Sequence, residues 1–447
     1  MCESKHIAGD CSLQSHVSIN KLRGTINRKC VKGIALSSLI ALLIQFFYLP
    51  PIHALNLREV EQITKQQDLI SQAHQFRGDA LSESAIADAQ ILDPQLNLGL
   101  FNLPIDNFDI NSEPNTQLRF GVSQSFPRGK TLAFKEKQTK WASHAEYQRA
   151  SDEVLKSIQS AREHFFNLYY QISAQETLEE SRQYFEQLVD IANSYYKVGR
   201  VNQQDILRAQ LELSRLDDRV IELKTKEDLV RAELSKWLDE RAFEPVENDY
   251  PTLPPLAPLQ EIIDSLINHQ SIQAEDAMVS FFNVGVEIAH EQYKPGWNIN
   301  VEYRKRFGDN IDGTNREDQV AAMVKVDLPI FTIKRQDRRL AASQHQVSAA
   351  KLVRSDKLQS LRRAVLRDYA NWERLSERSK LYETRLVPEA NANARASLIA
   401  YQSGITEFTT LAQARITQLN VRLEALRMKT ERSRVHSRLL YLAEGAL

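Results

Sequence analysis

Four segments of the chain alternate with period two, each with one mainly apolar side. In 116–126, Leu118, Phe120, Val122 and Phe126 fall on one side and Arg119, Gly121, Ser123 and Ser125 on the other. In 319–328, Val320, Ala322, Val324, Val326 and Leu328 oppose Ala321, Met323, Lys325 and Asp327. Trp297, Ile299, Val301 and Tyr303 oppose Asn298, Asn300, Glu302 and Arg304, and Leu96, Leu98 and Leu100 oppose Asn97 and Gly99. A period of two predicts strands with one apolar face. Elsewhere the period is helical. Helices are expected from Asn56 to about Ile91 and from Leu259 to about Gln292, and very long ones over 131–198 and 334–403. Pro388 is the one proline in those long stretches; lacking an N–H, it should bend or locally break its helix. Seventy residues at about 1.5 Å each give a rod of roughly 100 Å. Each long helix is followed by a shorter one with a seven-residue apolar repeat. In the first, Ala209, Leu216, Leu223, Val230 and Trp237 interleave with Ile206, Leu213, Val220 and Leu234. In the second, Ala412, Leu419, Leu426 and Leu440 interleave with Ile416 and Leu423. This pattern packs helix against helix, knobs into holes.

The elements come in two copies. Tyr196-Lys-Val-Gly199 followed by Asp205 and Ala209 recurs as Tyr401-Gln-Ser-Gly404 followed by Thr410 and Ala414. Phe126-Pro127 is matched by Leu328-Pro329, and Asp93-Pro94 by Lys294-Pro295. Three landmarks in constant order indicate a tandem duplication. The expected division is a signal peptide over 1–54, a first repeat over 55–250, a linker over 251–258 and a second repeat over 259–447. The leader reading rests on the basic run Lys21, Arg23, Arg28, Lys29 and Lys32, the apolar stretch 33–49 and a small-residue cleavage position at Ala54. The three cysteines, Cys2, Cys11 and Cys30, all precede that position. The exported chain is thus expected to have no disulfide and no thiol chemistry.

Composition narrows the function classes. With 57 basic against 58 acidic residues, there is no basic excess to hold nucleic acid. His74, His144, His164, His269, His290, His345 and His436 are scattered without metal-ligand spacing, and no phosphate-cradling loop or nucleophile elbow is present. No enzyme, cofactor or metal site is expected. Strands of about ten residues with one apolar face match tilted strands crossing a bilayer. Open edges are not tolerated in hydrocarbon, and four strands are fewer than the roughly eight of the smallest single-chain barrels. A barrel shared between subunits follows. The competing reading is a soluble periplasmic coiled-coil adaptor or scaffold, which accounts for the heptads but leaves the four strands unexplained.

Helix, strand pair, long helix, Tyr-x-x-Gly turn and shorter helix, done twice after a leader, resembles the TolC family of outer-membrane efflux proteins. The specific pieces are the glycine turns with downstream Ala209-Gln210 and Ala414-Arg415, and the strand exits Phe126-Pro127 and Leu328-Pro329. The resemblance implies a mainly α fold with a small membrane β part. Long helical hairpins would form a trimeric α-barrel tunnel joined to a shared twelve-stranded outer-membrane β-barrel, with four strands from each chain. It implies docking of a periplasmic adaptor protein, itself joined to an inner-membrane RND-type pump, at the turns Val198, Gly199, Arg200 and Ser403, Gly404, Ile405. Tyr196 and Tyr401 match the family's gate tyrosines, and Asp205 its acidic gate position in the first repeat. The family's acidic ring after the second glycine falls here on Thr410 and Gln413, leaving Glu407 as a nearby substitute. The run from Ala89 to Asp106 is most similar to the heavy-metal-efflux branch, which implies metal cations as cargo.

Overall fold

The computed structural model describes residues 54–444; the expected leader and all three cysteines lie outside the described residues. Within them the two copies have the same element order. The first has α1 (Leu57–Gln67), α2 (Leu69–Asp88), β1 (Gln95–Phe101), β2 (Gln117–Phe126), α3 (Thr131–Lys197) and α4 (Gln203–Leu238). The second has α5 (Leu259–Ser265), α6 (Gln270–Glu291), β3 (Gly296–Arg306), β4 (Gln319–Asp327), α7 (Gln336–Leu381), α8 (Val387–Gln402) and α9 (Phe408–Leu442).

The single helix expected at the head of each copy is in fact broken once. Asp68 separates α1 from α2, and its carboxylate accepts the Ile70 N–H at 3.2 Å. His269 precedes α6, and its Nδ1 accepts the Ser271 N–H at 3.2 Å. The two breaks lie 201 residues apart, the interval that also separates Pro94 from Pro295. A polar side chain that satisfies the first N–H groups of the next helix stabilises an extended residue there, which apolar periodicity does not reveal.

The long segments behave as their patterns predict. α3 runs 67 residues without interruption, roughly 100 Å. Its counterpart is divided by a π turn at Tyr382–Leu386, just before Pro388. The missing proline N–H breaks the regular i→i−4 ladder, and the widened turn accommodates the ring. Of the predicted seam, Ala209, Leu216, Val230, Leu234, Trp237, Ala412, Leu419 and Leu440 are buried. Leu426 is only half-buried. In its region Met428, Val435 and Leu439 close the core against Leu375 of α7. Phe165 and Phe166 of α3, with Leu234 and Trp237 of α4 and Leu55, form a separate core.

Beside the Met428 core, the His436 ring lies edge-on to Trp372 at 6.1 Å, and its Nε2 has no partner. Burial, helped by Arg432, pushes its pKa down to about 4 from 6.5. Between those values the unfolded chain takes up a proton that the folded chain refuses. His436 therefore costs stability progressively as pH falls from 6.5 toward 4. Replacing His436 with Gln should flatten the wild-type loss over that window, read as melting temperature in detergent at stepped pH. An unchanged slope would dismiss the assignment.

The strands form one four-stranded antiparallel sheet in the order β1-β2-β3-β4. The expected two hairpins are thus fused, with the repeats joined by ten paired residues between β2 and β3. Apolar residues form rows across it: Leu98, Phe120, Tyr303 and Val320 in one, Leu96, Val122, Val301 and Ala322 in the next. Phe126, Trp297 and Val326 make a third. All eleven of these residues except the small Ala322 appear among the exposed large hydrophobics. The other face carries Asn97, Arg119, Gly121, Ser123, Asn298, Asn300, Glu302 and Arg304. Glu302 lies between two guanidiniums, pairing with Arg304 and reaching Arg119 at 4.0 Å. Every helix joins the sheet at the same end of its strands, and the loops 102–116 and 307–318 lie at the other.

Candidate functional site

Far along the chain from the sheet, two helix hairpins close in matching turns. Residues 195–200 form a Schellman ending: Arg200 N–H donates to Tyr195 C=O at 2.9 Å and Gly199 N–H to Tyr196 C=O at 2.9 Å. In the second copy Ile405 N–H donates to Ala400 C=O at 2.9 Å and Gly404 N–H to Tyr401 C=O at 3.0 Å. The motif requires a left-handed residue after the helix, and Gly199 (φ +71°) and Gly404 (φ +76°) supply it. The next helices start at equivalent N-caps, Asn202 and Glu407. Glu407 is therefore the counterpart of Asn202, and Asp205 is matched by Thr410.

The turns meet. They enclose an open cavity of about 750 Å³ lined by Tyr195, Gly199, Arg200, Asp205, Arg208, Tyr401, Ser403, Gly404 and Glu407. Below it α3, α4, α8 and α9 share a core of Phe185, Leu188, Leu216, Phe408, Leu411 and Leu419. Most of the residues singled out from sequence thus converge on one place. Tyr196, Val198 and Ile405 do not line the cavity; they project into solvent, with Ile405 at 81% exposure.

The two tyrosines paired by the repeat have unlike surroundings. Tyr196 is 48% exposed, whereas Tyr401 is 4% exposed. Tyr401 is held between Tyr195 at 5.4 Å and Phe408 at 5.9 Å. Its hydroxyl is buried with no hydrogen-bond partner. Burial, with Asp205 and Tyr195 adding to it, pushes its pKa up to about 12, so it stays neutral beside the Asp205 carboxyl group. Tyr195 escaped the sequence reading because the repeat sets it against Ala400, not against another aromatic. It closes the gap between copies, its hydroxyl donating to Gln402 C=O at 3.4 Å and its ring lying 5.8 Å from the Arg200 guanidinium.

Residues 262–443, nearly all of the second repeat, match the outer membrane efflux protein family. This match covers about two fifths of the chain. Solved channels have the same fold over both repeats. VceC from Vibrio cholerae superposes with a TM-score of 0.73 at 15% identity, covering 87% of this chain and 95% of that one. CusC gives 0.71 at 13%, covering 87% and 92%. The CmeC outer membrane channel of Campylobacter jejuni gives 0.71 at 13%, covering 88% and 86%. At these identities the likeness establishes the fold. No curated protein matches the chain in sequence. Among the described residues no helix is long and apolar enough to cross a membrane, and no group of three or more His, Cys, Asp or Glu residues is placed to hold a metal ion.

Proposed function

We propose that the chain is one subunit of a trimeric export duct, the outer-membrane part of a tripartite efflux system. The observation that carries this is the sheet: four strands with a continuous exposed apolar face, and outer edges on β1 and β4 that pair with no strand among the described residues. Backbone groups on such edges need partners in hydrocarbon. Three copies, β4 of one beside β1 of the next, close a twelve-stranded barrel. Its polar face, with Arg119, Glu302 and Arg304, then lines a water-filled lumen, and the helices continue as a periplasmic tunnel. A soluble periplasmic scaffold does not account for that exposed face.

In this reading the paired turns are the periplasmic tip. Val198, Gly199, Arg200, Ser403, Gly404 and Ile405 meet a periplasmic adaptor, which connects to an inner-membrane RND-type pump. Tyr196, Asp205, Tyr401 and Glu407 are the gate candidates. The pairing of buried Tyr401 with Tyr195 and Asp205 supports a gate held by contacts between the two hairpins of one subunit. Heavy-metal cations are the proposed cargo, supported by the similarity of residues 89–106 to the metal-efflux branch. A deletion strain should grow poorly on copper, silver, zinc, cobalt or cadmium and regain growth with the gene restored. Sensitivity to a drug panel alone would remove the metal assignment, and no sensitivity at all would remove the efflux role.

A further inference from the structure

The two strand exits, alike in plan, differ in one respect that the duplication does not explain. After β2 the chain is clamped. The Arg128 guanidinium donates to Gln292 C=O at 2.6 Å, and Lys130 N–H to the Glu291 carboxylate at 2.7 Å. Gly129 lies so close to Glu291 that a Cβ there would collide with its Oε2. α3 begins four residues after Pro127, whereas α7 begins seven residues after Pro329. The longer exit is apolar and open: Leu328 is 65% exposed, Ile330 70%, Phe331 89% and Ile333 71%. It is nonetheless ordered, with Arg335 N–H and Asp337 N–H both donating to Thr332 C=O, at 3.0 and 3.1 Å.

Directly after it come Lys334, Arg335, Arg338 and Arg339, all exposed and in no ion pair among the described residues. The intervening acid, Asp337, accepts a hydrogen bond from the Tyr293 hydroxyl at 2.6 Å. An exposed apolar run followed by unpaired cations is the pattern of a segment lying at a membrane interface. Its position agrees. Leu328 continues the outward row Val320, Ala322, Val324, Val326 on the helix side of the sheet. That row spans eight residue steps, roughly 26 Å along the strand. At a tilt of about 40° it covers about 20 Å of depth, short of the apolar band of about 25 Å around such barrels.

We propose that Leu328–Ile333 is an interfacial anchor that enters the periplasmic leaflet of the outer membrane, with Lys334, Arg335, Arg338 and Arg339 on anionic phospholipid headgroups. The assignment rests on the membrane reading of the sheet and adds to it a lipid-binding segment outside the barrel.

The test uses a nitroxide at Phe331→Cys and, separately, at Val324→Cys, in a full chain whose Cys2, Cys11 and Cys30 are Ser. The protein is reconstituted in vesicles of phosphatidylethanolamine and phosphatidylglycerol. Collision rates with oxygen, which concentrates in lipid, are compared with those of a water-soluble nickel chelate. The anchor predicts that oxygen dominates at both positions. Oxygen at Val324 with both probes excluded at Phe331 means that a second copy covers the segment. Oxygen at Val324 with the chelate dominant at Phe331 places the segment in water. Either result overturns the anchor and leaves the barrel standing. Water exposure at Val324 itself overturns both. A second arm replaces Lys334, Arg335, Arg338 and Arg339 with Gln in the Phe331→Cys chain. The gain in immersion on adding phosphatidylglycerol should disappear, and its persistence would refute the headgroup contacts.

Discussion

Replacing Val301 with arginine should abolish recovery of the assembled protein from the outer membrane. Val301 stands mid-strand in β3, between Val122 and Ala322 on the exposed apolar face. An arginine at the midplane of a barrel's lipid face costs about 2–4 kcal/mol. Incurred in each of three subunits, that is comparable with the whole stability of a typical domain, about 5–15 kcal/mol. Ser125→Arg is the matched comparison. It places the same side chain on the opposite face, opposite Asn298, where the present reading has water. Assembly should survive there with a change in conductance. Oligomer bands in unheated, mildly solubilised membranes measure both variants. Equal yields of Val301→Arg and wild type would mean that this face does not meet lipid.

Gly404→Val should leave the oligomer intact and reduce crosslinking to the adaptor by tenfold or more, with efflux falling in parallel. Beyond the adjoining residues of the chain, nothing lies within 4 Å of a Cβ built on Gly404 or Gly199, so the substitution meets no steric obstacle from other parts of the fold. The penalty is in the backbone: a left-handed residue with a side chain costs about 1–2 kcal/mol, and a β-branched one fits least well. Relieving it unwinds the Schellman turn and frees the Gly404 N–H to Tyr401 C=O bond. The seam below, from Phe408 to Leu419, is untouched. Gly404→Asn, which tolerates the left-handed region, should retain most of the crosslinking. Crosslinking by Gly404→Val at the wild-type level would remove the docking role from this turn.

Much of this architecture is legible in the sequence, because it is written in periods. Alternation marked all four strands to within a residue or two, and heptads marked the seam. The repeated Tyr-x-x-Gly placed both turns that line one cavity. What stayed hidden depends on single side chains or on pairing across the duplication. Nothing in apolar periodicity distinguishes Asp68 and His269 as helix breaks, since each acts through one cap hydrogen bond. The joining of β2 to β3 is a contact between segments some 180 residues apart, and alternation specifies a strand's faces without naming its neighbour. Tyr195 is invisible for a related reason. It packs on Tyr401 although the duplication pairs Tyr401 with Tyr196. The exit segment Leu328–Ile333 is visible in sequence only as a few apolar residues, and its exposure becomes evident once the clamped first exit can be set beside it.

In the proposed duct, one chain supplies a third of a barrel that exists only in the membrane. The measurement that tests this most directly is the mass of the detergent-solubilised particle, taken from outer-membrane fractions after osmotic shock has removed the soluble periplasm. A particle of three chains that enters solution only with detergent, and separates into single chains on heating, is the predicted result. Release of the protein as a monomer by osmotic shock alone would contradict it.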